Sequence, residues 1–166
     1  MKLLVTLALS LVVACTYAQD TDTVLVYLQV KPQSALTLGY NYSFAEPNER
    51  NFHLAEVRVE RGRTDPRHGG FGVLSLGTDI GLNTRKFLAG PRAGVLAGFM
   101  GICLGADLDY YTDFEQGTLR LVPIIGIGSN RIRLSINPHV RLTNRYFEPI
   151  DRGHINLTVR LLTLRR

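Results

Sequence analysis

Asp107 and Asp109 stand two residues apart in "GADLDYY", a spacing that puts both carboxylates on one face of an extended strand. Carboxylates so paired serve general acid–base chemistry, or they neutralise arginines packed against them. The second role suits the surroundings better, because the matching faces of other segments carry Arg92, Arg120 and Arg133. Histidines are the other candidates. No two of His53, His68, His139 and His154 have metal-ligand spacing, and the lone Cys103 cannot complete a site. His139 falls near Asn137, Arg133 and Arg141 and reads as part of a polar cluster, not as a ligand or base. The chain has no G-x-S-x-G elbow, no Walker loop and no dinucleotide fingerprint. No catalytic residue, cofactor or metal is assigned, and an enzyme is not expected.

The elements that hold these residues begin after an export signal. Lys2, the apolar run 3–14 and "CTYAQD" form a secretory signal peptide, residues 1–18, with cleavage after Ala18. The run is too short for a membrane-spanning helix. A lipoprotein signal, with "VVAC" as lipobox and Cys15 acylated, is the alternative. Cleavage after Ala18 leaves Cys103 alone, so the mature chain has no internal disulfide. It also removes Lys2, leaving 18 basic residues against 14 acidic ones, a modest excess with no aromatic-plus-basic motif for nucleic acid. Only Lys31 and Lys86 then remain beside 16 arginines. Arginine is favoured where a guanidinium must pair in a confined space, although high genomic GC content gives the same bias.

The rest of the sequence alternates with the period of strands and is broken by turn signals every ten to fifteen residues. In 131–142, "RIRLSINPHVRL", the even positions are Ile, Leu, Ile, Pro, Val and Leu, and the odd ones Arg, Arg, Ser, Asn, His and Arg. Similar segments are 35–44, 52–60, 72–82, 87–99, 102–111, 118–128 and 154–164, which makes eight strands joined by hairpin-sized connections. Residues 19–33 are an N-terminal extension or extra strand, with "VLVYLQV" (24–30) as a ninth candidate, and 34–166 form the main domain. Pro91, Pro123 and Pro138 each remove a ladder donor, so a bulge or strand break is expected at each. The predicted fold is all-β: a closed antiparallel up-and-down barrel of eight strands.

Alternation alone leaves the inward face open. A soluble barrel carrying an apolar ligand has its apolar side inside; a membrane barrel has it outside. Here the polar face mixes small residues (Gly39, Ser75, Gly77, Gly81, Gly105, Gly126) with the acids Glu56, Asp79, Asp107 and Asp109 and the bases Arg58, Arg92, Arg120, Arg133, Arg141 and Arg160. Small residues make room for long, mutually pairing neighbours inside a narrow eight-stranded barrel, whereas solvent has no need of them. A polar interior network is therefore expected from Asp79, Arg92, Asp107, Asp109, Arg120, Arg133, His139, Arg141 and Arg160. Aromatic girdles are expected near the outer ends (Tyr42, Phe44, Phe52, Phe87, Tyr110, Phe114, Tyr146, Phe147) and near the inner ends (Phe71, Phe99).

The stretch from "FLAGPRAG" through "ADLDYYTDF" and "LRLVPIIGIG" to "SINPHV" resembles small, mostly uncharacterised bacterial outer-membrane β-barrel proteins of the eight-stranded type. It covers about a third of the chain. The resemblance implies an outer-membrane location, contact with that membrane's lipids and insertion by the barrel-assembly machinery. Such chains often end on an aromatic residue, whereas this one ends "LLTLRR". The expected role is structural, or binding and adhesion through the outer loops 45–51 and 143–153, with a packed lumen and no open pore. The alternatives are a soluble secreted or periplasmic barrel with an apolar ligand, and a lipid-modifying membrane enzyme using His53 or His154 with Asp113, Glu148 or Asp151 at the rim.

Overall fold

The computed structural model describes residues 32–44, 51–65, 69–84, 86–144, 147, 150 and 152–164. The expected signal peptide, the 24–30 strand candidate, His68, Tyr146, Glu148 and Asp151 lie outside them. The strands are β1 (Gln33–Ser43), β2 (Phe52–Thr64), β3 (Phe71–Gly81), β4 (Ala89–Phe99), β5 (Ile102–Thr112), β6 (Gly117–Gly128), β7 (Ile132–Pro138), β8 (Val140–Arg141) and β9 (Gly153–Leu164). Each pairs antiparallel with its neighbour in the wall, and β9 returns to β1, with Ser43 opposite His154 and Ser34 opposite Leu164. β7 and β8 are two halves of one stave: Ile136 lies opposite Ile125 of β6 and Arg141 opposite Arg120, in a single register. The result is a closed eight-stranded antiparallel barrel, as the alternation predicts.

The prolines act more gently than expected. Pro91 and Pro123 stay within unbroken strands and cause no register shift. Each keeps one neighbour, Thr78 for Pro91 and Ala106 for Pro123, while the ladder lapses on the other side. A proline lacks only its own N–H, so only the side to which that N–H would point is lost. Pro138 does end β7. It keeps its partner Gly153 on β9, and in the β6 register it falls opposite Pro123, so the two donorless residues share one gap. The register shift that does occur lies elsewhere, between β1 and β9: Leu36 pairs with Leu162 but Thr37 with Arg160, leaving Leu161 as the extra residue. Leu162, which strict alternation would turn inward, is exposed beside it.

The two ends of the barrel differ in their connections. At one end Met100 and Gly101, both at positive φ, close a two-residue hairpin between Phe99 and Ile102. The turn 129–131 is also short, and 65–70 is the third connection at this end. The opposite end carries 44–51, 82–88, 113–116 and 142–152.

Burial follows the alternation inside out. On β2, Glu56, Arg58 and Glu60 are buried while Val57 and Val59 are exposed; on β3, Asp79 is buried while Leu74 and Leu76 are 66% and 68% exposed. The polar side therefore faces the interior. Apolar side chains cap this interior at both levels. Leu54, Leu88, Tyr111, Phe147 and Ile150 cluster at the long-loop end, and Phe71, Val73, Leu96, Cys103 and Ile124 towards the short-turn end. Phe71 and Phe147, expected in the aromatic girdles, thus point inward as plugs, because their positions share parity or loop direction with interior residues. Phe87, Phe99, Tyr110 and Phe114 do lie exposed on the outer surface, with Phe87 and Phe114 stacked at 5.6 Å.

β4 shows how the interior is filled. Its inward positions are Gly90, Arg92, Gly94, Leu96 and Gly98, alternating nothing with something large. A Cβ at Gly98 would lie 2.2 Å from the Phe71 ring. Gly98→Ala is therefore expected to lower the unfolding free energy by about 1–3 kcal/mol through overpacking, measured by urea titration of the refolded barrel in detergent micelles.

Candidate functional site

The inward residues of β2 to β5 meet in one ion network. Arg92, from β4, donates from Nη1 to Glu56 (2.5 Å) and to Asp79 (3.3 Å), from Nε to Asp109 Oδ1 (3.1 Å), and from Nη2 to the other oxygen of Asp109. Its Nε also lies 3.7 Å from Asp107. Arg58, from β2, pairs with Glu56 at 3.1 Å and with Asp107 at 2.8 Å. Two guanidinium groups thus join four carboxylates, Glu56 of β2, Asp79 of β3 and Asp107 and Asp109 of β5. Neutral donors complete the set: Tyr111 Oη donates to Asp79 (2.8 Å) and to Asp109 (3.1 Å), Asn41 to Asp79 (3.0 Å), and Asn156 to Glu56 (3.1 Å). The planar fork of arginine makes this possible, because one side chain presents donors in several fixed directions. Gly94 leaves the space for Asp107, whose Oδ1 would otherwise lie 1.8 Å from a Cβ.

Above the network, towards the long-loop end, Arg120 is fully buried with its guanidinium 5.8 Å from the Tyr111 ring centre. It donates to Phe147 O (3.3 Å) and meets His139 Nδ1 at 3.0 Å. A guanidinium can only donate, so His139 accepts at Nδ1 and carries its proton on Nε2, which donates to His154 Nδ1 at 2.8 Å. His154 then carries its proton on Nε2, 2.9 Å from the Asn137 amide. This order requires Asn137 to present Oδ1 to His154, which gives that buried oxygen its partner. The chain Arg120–His139–His154–Asn137 is a neutral relay of hydrogen bonds attached to one arginine.

Below the network, Arg133 pairs with both oxygens of Glu60. A cavity of about 10 Å³ lies between Arg58, Arg133, Asn137, Asn156 and Thr158, space for one water at most. At the short-turn mouth, Arg160 donates to Asn130, which in turn donates to Thr64, so three staves are tied across the opening.

Of the expected network residues, the structure brings Asp79, Arg92, Asp107 and Asp109 together, with Arg120 and His139 adjoining them and Arg133 in a separate pair. Arg160 is half-buried at the mouth, outside the network. Arg141 is exposed: β8 is two residues long and the wall ends there, so its inward parity leads nowhere. The network also uses Glu56, Arg58, Asn41, Tyr111 and Asn156, while His154 joins the adjoining relay and Glu60 the separate pair with Arg133. Parity alone would have supplied Glu60, since it shares a face with Glu56 and Arg58; its pairing with Arg133 across the barrel has no signal in sequence.

The rim residues are placed apart. His53 faces outward, where its Nδ1 is bonded to Tyr40 Oη, while His154 is buried inside the wall. The structure therefore does not bring these two histidines together. Asp113 caps the 113–116 turn, accepting from the Gln116 amide at 2.7 Å and the Glu115 amide at 3.1 Å. The Gln116 amide above all holds its carboxyl below the usual range, and the hydrogen bond to Glu115 raises the Lys86 ammonium. Among the described residues no group of three His, Cys, Asp or Glu side chains could hold a metal ion. No family model matches the chain, and neither a curated protein nor a solved structure matches it.

The arrangement as a whole satisfies charges within a closed wall. Removing one partner leaves others buried and uncompensated, so Arg92→Leu is expected to cost about 3–5 kcal/mol, and Arg92→Lys to recover less than half because an ammonium lacks the fork. Equilibrium unfolding of the three proteins by tryptophan-independent circular dichroism checks this; equal stability of Arg92→Leu and the parent would contradict it.

Proposed function

We propose that the protein is an integral outer-membrane β-barrel with a filled interior, a structural element of the cell envelope whose longer loops form the surface available for binding. The observation that carries this reading is the outer wall. Apart from His53, Arg61 and Arg63 towards the ends of β2, the outward positions of the described strands are uncharged: Leu74 to Ile80 on β3, Ala89 to Phe99 on β4, Ile102 to Tyr110 on β5, Ile132 to Val140 on β7 and β8, and their counterparts around the ring. Thirty large apolar side chains are exposed among the described residues, whereas a water-soluble monomer rarely shows a contiguous apolar patch above ~300–600 Å².

Dimensions support the same reading. The 11 residues of β5 extend ~36 Å along the strand, and at a tilt of about 40° they rise roughly 28 Å, close to the ~25 Å apolar band of membrane barrels. Two of the three connections at one end have two or three residues, while those at the other run from four to eleven, in the sense of periplasmic and extracellular ends. Tyr40, Tyr110, Phe87 and Phe114 gather at the long-connection end, where amphipathic rings favour the interface. The outer-membrane lipids are then the permanent partner and the barrel-assembly machinery the transient one. A filled interior supports anchoring or loop-mediated contact as the role, and not conduction.

Three measurements test this. The protein should follow the outer-membrane fraction and require detergent for extraction; recovery in the aqueous fraction would overturn the reading in favour of a soluble barrel. Ile136→Arg should cost roughly 2–4 kcal/mol near the middle of the membrane and block insertion. Barrels reconstituted in a planar bilayer should give no stable conductance steps.

A further inference from the structure

We propose that the short-turn end of β2 binds the anionic headgroup of a phospholipid through Arg61 and Arg63, an inference that rests on the membrane reading above. The outward positions of β2 run Val57, Val59, Arg61, Arg63, so the surface changes from apolar to cationic within one strand repeat. Arg61 is exposed and Arg63 half-buried, both on the outward side of the strand. Arg131 at the same end has the inward parity of Arg133, and its carbonyl accepts from the Arg160 amide of β9, three of the eight staves round the ring, so it stands apart from this site.

What sets these arginines apart is that no carboxylate among the described residues pairs with them. Inside the barrel Arg58, Arg92 and Arg133 each have carboxylates, and at the opposite rim Lys86 has Glu115 and Asp113. Arg61 and Arg63 have no salt bridge among the described residues; of the acids described at that end, Glu60 points inward to Arg133 and Asp65 is half-buried. Unpaired guanidinium groups at the edge of an apolar belt lie at the depth of lipid phosphates, which they bind through a bidentate fork. The opposite strand leaves access: Arg63 faces Gly72, which has no side chain to cover it.

The test is native mass spectrometry of the barrel extracted from vesicles of equal phosphatidylglycerol and phosphatidylcholine. A basic residue near an anionic surface contributes about fivefold in binding. The parent should therefore retain phosphatidylglycerol over phosphatidylcholine by at least about fivefold. The preference should vanish in Arg61→Gln/Arg63→Gln and persist when the same two positions carry Lys. It should also weaken in the parent as salt is raised, a reading that does not depend on any variant folding. Equal retention of the two lipids by the parent, or an unchanged preference in the glutamine variant, overturns the proposal while leaving insertion intact. A barrel that never enters the vesicles overturns the membrane reading, and this inference with it.

Discussion

Closing eight strands into a ring leaves an interior too narrow for bulk water, so every inward polar group must find its partner within the wall. Arg92 is where this constraint is met most fully. Its guanidinium reaches Glu56, Asp79 and Asp109, binding the inward faces of β2, β3 and β5 to β4. Such a network need not add net stability, because removing charges from water costs about as much as their pairing returns. It is nevertheless obligatory once the charges are there, and it fixes its surroundings. Glycines at 90 and 94 exist beside it because Tyr111 and Asp107 occupy the space their side chains would take.

The interior is layered along its axis. A polar middle lies between the cluster of Phe71 and Cys103 on one side and that of Phe147 and Ile150 on the other. The apolar clusters shield the ion pairs from water, which strengthens them. The histidine relay from Arg120 to Asn137 belongs to this packing too: it terminates the network under Phe147 and gives each ring nitrogen a partner.

The wall itself is uneven. β5 and β6 are paired without interruption from Ile102 opposite Ile127 to Thr112 opposite Gly117. The seam between β6 and the β7–β8 stave lapses where Pro123 and Pro138 face each other. There the missing donors belong to the backbone, and no side chain can replace them. That seam lies level with His139, which is half-buried, so the least continuous part of the wall adjoins the least buried member of the relay.

Much of this was legible in the chain. The period of two in segments such as 131–142 determined the strands, their number and which residues share a face, because a pleated backbone admits no other arrangement of neighbours. The glycines and opposite charges on the polar face pointed it inward, and the structure agrees. Tertiary structure decided what alternation cannot encode. Parity puts Glu60 and Arg133 inside but not beside each other; that depends on the register of eight closed strands. It predicts an inward Arg141, yet the stave stops there, and an inward Leu162, yet a bulge turns it out. Phe71 and Phe147 look like girdle residues until closure of the ring leaves two ends that only apolar side chains can fill.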